Sequence, residues 1–116
     1  MDEKVLKWLY DIDGSINEIE SYFDGQAHDF ISYQRNLLLK RGVERNLEII
    51  GEAVRRVLDK EPEFPITNAI RIVGLRNQII HSYDNISDEN IWAILTKHLP
   101  LLKSEIKRLI KDADMD

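Results

Sequence analysis

The segment from Gly74 to Tyr83 sets Arg76, Asn77, His81 and Tyr83 among aliphatic neighbours. Arginine carries a planar, permanently charged fork that matches phosphate oxygens, and histidine is the side chain whose unperturbed pKa lets it exchange a proton near neutrality. That pairing suits cleavage of an RNA phosphodiester. Without a metal, such cleavage needs a base for the 2′-hydroxyl proton, an acid for the departing 5′-oxygen and positive donors for the charged phosphorane. His81 is then expected to act as acid or base, Arg76 as phosphate clamp, and Asn77 as an amide that orients substrate or an arginine. One histidine does not easily fill both proton roles at once, whereas a two-fold dimer juxtaposing two copies of this helix would supply two His81 and two Arg76. DNA, which lacks the 2′-hydroxyl, would be inert. Around a helix Arg76 and His81 fall roughly 140° apart, which predicts a wide cleft shared by the two residues. The bland reading makes Arg76 a surface ion pair, His81 a hydrogen-bonded bundle histidine and Tyr83 a helix-end aromatic.

The elements that must position these residues all read as helices. Val5, Leu9, Ile12, Ile16, Ile19 and Phe23 recur every three or four positions and predict a first helix from Asp2 to Phe23, closed by Gly25. Asp29 is the expected N-cap of a long second helix carrying Phe30, Tyr33, Leu37, Leu47, Ile50, Val54 and Val57 and stopping before Pro62. Gly42 and Gly51 lie inside it, each costing about 1 kcal/mol relative to alanine. Close helix approach is the expectation for Gly51, and a break or kink for Gly42. Thr67 or Asn68 should cap a third helix reaching His81, and Ser87 a fourth carrying Ile91, Leu95, Leu99, Leu102, Ile106 and Leu109. Pro100 should bend that helix near residues 97–99, and residues 112–116 should fray. Nothing reads as a strand, so the expected fold is an all-α, antiparallel four-helix bundle with a kinked last helix.

The chain has 116 residues, 43% of them apolar, which suits one domain spanning 1–116 with a modest core. Cysteine is absent, so disulfides and thiolate metal sites are excluded. The charged start and the lack of a long apolar run predict no signal peptide, no membrane segment and a cytoplasmic location. A net charge of −5 argues against a general nucleic-acid coat protein but leaves room for a small local cluster of arginines.

The motif Arg76-Asn77-x-x-x-His81-x-Tyr83 resembles that of the HepT branch of the HEPN superfamily. Gly51-Glu52-Ala53, Gly74-Leu75, Ile91-Trp92-x-Ile94 and Leu99-Pro100-x-Leu102 resemble further family segments in the same order. The resemblance implies a dimeric four-helix bundle, a metal-independent endoribonuclease toxin with an RNA substrate, and catalytic Arg76 and His81 supported by Asn77. It also implies a partner, an MntA-like minimal nucleotidyltransferase antitoxin that adds AMP to Tyr83. The added phosphodiester would place negative charge and bulk beside Arg76, in competition with the RNA phosphate.

The sequence admits three other readings. Glu44, Glu48 and Glu52 repeat every four residues like a bundle carboxylate site, but no Glu-x-x-His accompanies them. A charged face or interface network with Arg45, Arg55 and Arg56 is expected instead, with no metal and no cofactor. HEPN-like bundles also occur as non-catalytic partners or nucleotide-binding subunits of minimal nucleotidyltransferases. Trp8, Tyr22 and Tyr33 could stack on bases, but they fall on or near the apolar stripes and are expected in the core or a dimer contact.

Overall fold

The computed structural model describes residues 1–25, 27–81 and 87–114, apart from the side chains of residues 70 and 78–81. Helix α1 spans Glu3–Ser21. Asp2 caps it, its carboxylate accepting from the Lys4 and Val5 N–H groups at 2.8 and 3.1 Å. The stripe Val5, Leu9, Ile12, Ile16 and Ile19 is buried, and Gly25 follows in the left-handed region at φ 70°.

The expected long second helix is two helices, α2 over Phe30–Arg35 and α3 over Leu37–Lys60. The break falls at Asn36, where the backbone is extended and the side chain accepts from the Leu39 N–H at 3.0 Å. A short amide that captures a nearby backbone donor competes with the helical ladder and starts a new helix. Gly42, the expected break, stays helical. A side chain there would come within 3.0 Å of the Tyr22 ring, so this glycine serves close packing. Asp29 caps α2 as expected, accepting from the Ser32 N–H at 2.9 Å.

Helix α4 spans Ala69–His81. The last rod begins as α5 over Asp88–Ala93, widens into a π-helical turn over Ile94–His98, and continues as α6 over Leu99–Asp114. Ser87 caps α5 through the Asn90 N–H at 3.1 Å. The wide turn lies where Pro100 predicts a disturbance: proline donates no hydrogen bond, and its ring crowds the carbonyl of Thr96, four residues back. The Thr96 hydroxyl bonds the Trp92 carbonyl at 2.9 Å within the same stretch. Helix α6 persists to Asp114, past the point where fraying is expected.

Helix α3 packs against α1 on one side and α4 on the other, and α1 also packs against α6. The result is the expected all-α bundle of four rods, with no strand among the described residues. Tyr33 belongs to the buried core, while Trp8 and Tyr22 pack against it. Among the described residues no helix is long and apolar enough to cross a membrane.

The α3–α4 seam is tightest at Gly51. A side-chain carbon there would collide with Cβ of Arg76, come within 2.9 Å of its Cγ, and lie 3.2 Å from the Ile72 carbonyl oxygen. Close approach, as expected for this glycine, is therefore its role. Gly14 of α1 has nothing within 4 Å of the same point. Gly14→Ala should gain about 0.5–1 kcal/mol of stability through helix propensity. Gly51→Ala should lose about 1–3 kcal/mol through overpacking. Urea unfolding of both variants checks this, and equal stabilisation by the two would refute the tight seam.

Candidate active site

Arg76 sits two-thirds of the way along α4, directly over Gly51, and one residue further along α3 stands Glu52. The missing side chain at Gly51 lets α4 settle close enough for the guanidinium to reach that carboxylate: Arg76 Nη2 lies 2.9 Å from Glu52 Oε2. Asn77 Oδ1 accepts from Arg76 Nη1 at 2.9 Å. The Arg76 fork is thus held from both ends. Its Nε is buried with no hydrogen-bond partner among the described residues, while Nη1 and Nη2 each keep a second N–H beyond the bonds just given.

Glu52 carries more than this one partner. Its Oε1 accepts from Arg55 Nη2 at 2.7 Å and Arg56 Nε at 3.2 Å, and its Oε2 also accepts from Arg55 Nε at 3.3 Å. Arg55 reaches Asp59 at 2.9 Å as well. Three guanidiniums therefore meet two carboxylates, a local surplus of positive charge in a chain of net charge −5. Hydrogen bonding from Arg55, reinforced by the charges of Arg55 and Arg76, holds the Glu52 carboxyl below its ordinary value. Only 22% of the Arg76 side chain and 25% of Glu52 is exposed, so solvent screens this pair less than the outer arginines.

The row Glu44, Glu48, Glu52 does not act as one unit. Glu44 pairs with Arg41 at 2.9 Å, whereas Glu52 serves the arginine cluster. Among the described residues no three His, Cys, Asp or Glu side chains converge as metal ligands would. His28 contacts the rings of Phe23 and Trp92, and His98 ends the π turn, away from Arg76 in sequence. His81 closes α4, but its side chain lies outside the described residues, and so does all of Tyr83. Sequence spacing marked Arg76 and Asn77. It did not mark Glu52 as their neighbour, and the available signal was Gly51, a costly glycine placed to admit another helix.

The match to a family model described as Ribonuclease HepT-like covers residues 12–109. The chain belongs to the HepT-like ribonuclease family. Several curated relatives agree. One protein of Methanocaldococcus jannaschii, provisionally named an RNase, is 38% identical over 105 residues, covering 89% of this chain and 94% of its own. A second from that organism, named the same way, is 29% identical across 95% of this chain and 94% of its own. A third, from Caldanaerobacter subterraneus subsp. tengcongensis, is 30% identical across 71% of this chain and 74% of its own. No solved structure matches the chain significantly.

The arrangement within this HepT-like chain fixes a pH dependence. Because the folded-state pKa of Glu52 is lowered, the unfolded chain takes up the proton first on acidification. The pair's contribution is complete above the ordinary glutamate value of 4.5 and is lost as pH falls through the lower folded-state value. Wild type should therefore lose more stability between neutral pH and the acid limb than Glu52→Gln does. Urea midpoints measured down the pH scale check this, and parallel curves would mean that the carboxylate is not stabilised by its arginines.

Proposed function

We propose that this chain is a metal-independent endoribonuclease whose active site forms where two copies meet, and that it acts as the toxin of a toxin–antitoxin pair. The observation that carries the reading is the Arg76 fork, braced by Glu52 and Asn77 with donors unspent, in a member of the HepT-like ribonuclease family. A guanidinium held in place before substrate arrives stabilises developing phosphorane charge without reorganising at the moment of reaction. RNA is the substrate class, in line with the provisional RNase names of the relatives.

In the reaction, a histidine base removes the 2′-hydroxyl proton, O2′ attacks phosphorus, and the bond to the 5′-oxygen breaks as an acid protonates it. The products are a 2′,3′-cyclic phosphate and a 5′-hydroxyl, with no water consumed. His81 supplies the proton transfers, and a dimer supplies the second His81. Arg76 clamps the non-bridging oxygens, and Asn77 keeps its fork oriented. No cofactor or metal is called on.

Control follows from the same charge. An MntA-like nucleotidyltransferase antitoxin that joins AMP to the Tyr83 hydroxyl, releasing pyrophosphate from ATP, would place a phosphodiester within the domain of Arg76. That anion would compete for the guanidinium. The resemblance of the motif, with its tyrosine two residues after His81, supports this reading.

Purified chain incubated with RNA in EDTA should generate ends bearing 2′,3′-cyclic phosphate, and His81→Ala should fold normally but lose at least 100-fold in rate. Adding the antitoxin and ATP should stop wild type and leave Tyr83→Phe cleaving. Undiminished cleavage by His81→Ala would remove it from the chemistry. Absence of cleavage by protein shown by mass spectrometry to be unmodified would favour a non-catalytic partner instead.

A further inference from the structure

Helix α4 has a second flank. Between it and the α5–α6 rod lies a groove of about 860 Å³, open to solvent and separate from the Glu52 cluster. Arg71 stands on one wall, His98 and Arg108 on the other, and none of the three has a hydrogen-bond or ion-pair partner among the described residues. Ile72, Leu75 and Leu101 supply apolar surface between them, and Leu101 is 69% exposed. Glu105 is the one carboxylate among the described lining residues, and it is already engaged. Its two oxygens accept from the Thr67 N–H at 2.8 Å and the Thr67 hydroxyl at 2.6 Å, tying the approach to α4 onto α6.

We infer that this groove holds a single RNA strand on its way to Arg76. The inference rests on the ribonuclease reading and names the surface that binds its substrate. Charge selects the occupant. In a chain of net charge −5, a groove with two uncommitted guanidiniums, an imidazole and a single occupied carboxylate attracts an anion. A second copy docked by two-fold symmetry through this groove would bring two copies each of Arg71 and Arg108 into one contact with only the two engaged Glu105 carboxylates from the lining, a like-charge excess that opposes that occupant. The aliphatic strip between the charges suits unstacked bases, whose faces need apolar contact while phosphates take the arginines. Leu75 lines the groove and Arg76 follows it on α4, about 100° around the helix toward α3, so the groove runs beside the helix that carries the clamp.

The test is fluorescence anisotropy of the 116-residue chain in EDTA with a labelled single-stranded 2′-O-methyl RNA, which the proposed reaction cannot cleave. Arg71→Gln with Arg108→Gln should weaken binding about tenfold and reduce the slope of log K against log salt by about 1.4, the loss of two phosphate contacts. Both arginines are exposed, and an unchanged melting temperature excludes misfolding. On cleavable RNA the same double variant should raise KM and keep kcat. If wild type binds RNA without cleaving it and the double variant loses binding, the groove stands and the catalytic reading fails. If the double variant keeps wild-type affinity and KM, the groove proposal is wrong whatever the activity. If Leu101→Lys turns a dimer into a monomer by light scattering with RNA affinity unchanged, the groove is a subunit contact and the proposal is likewise overturned.

Discussion

The placement of Arg76 depends on how closely α4 can approach α3 at one point. Gly51 offers no side chain, so Arg76 descends until its own Cβ occupies the space a residue-51 side chain would need. At that depth the guanidinium reaches Glu52, the next residue on α3. A methyl group at Gly51 would lift α4, and the ion pair, being held by geometry at 2.9 Å, would weaken with it. The roughly 1 kcal/mol that glycine costs inside a helix is thus offset by a contact that orients the Arg76 guanidinium.

The electrostatics follow from that placement. A lone arginine on a helix surface samples many rotamers and must be ordered when a phosphate arrives. Here one carboxylate and one amide hold the fork beforehand, while Arg55 and Arg56 share the same carboxylate and keep the local potential positive. In the proposed reaction Glu52 is a positioning residue. It touches Arg76, and Arg76 is the group expected to touch RNA. Competition among three guanidiniums for one carboxylate also keeps Arg76 from being fully neutralised, which a one-to-one pair would do.

The sequence disclosed different parts of this with different clarity. Periodic apolar residues and side-chain caps at Asp29 and Ser87 marked helix starts, because capping is local and needs no knowledge of neighbours. The Asn36 break was hidden: an asparagine between apolar residues looks tolerable in a helix, and its capture of the Leu39 N–H wins only once α2 has a place to pack. Pro100 announced a disturbance but not its form as a π turn. Gly51 was legible as a close approach, and its partner was not, since residues 51 and 76 are linked only by the turn between two helices. Arg76, Asn77, His81 and Tyr83 stood out by type and spacing, whereas Glu52 looked like one member of a glutamate row.

A double-mutant cycle on RNA cleavage with Glu52→Gln and Arg76→Ala measures whether Glu52 acts on catalysis through Arg76. Strong non-additivity is expected: Glu52→Gln lowers kcat when Arg76 is present and changes it little once Arg76 is gone. Equal losses in both backgrounds would show that Glu52 and Arg76 work independently, against a positioning role for Glu52.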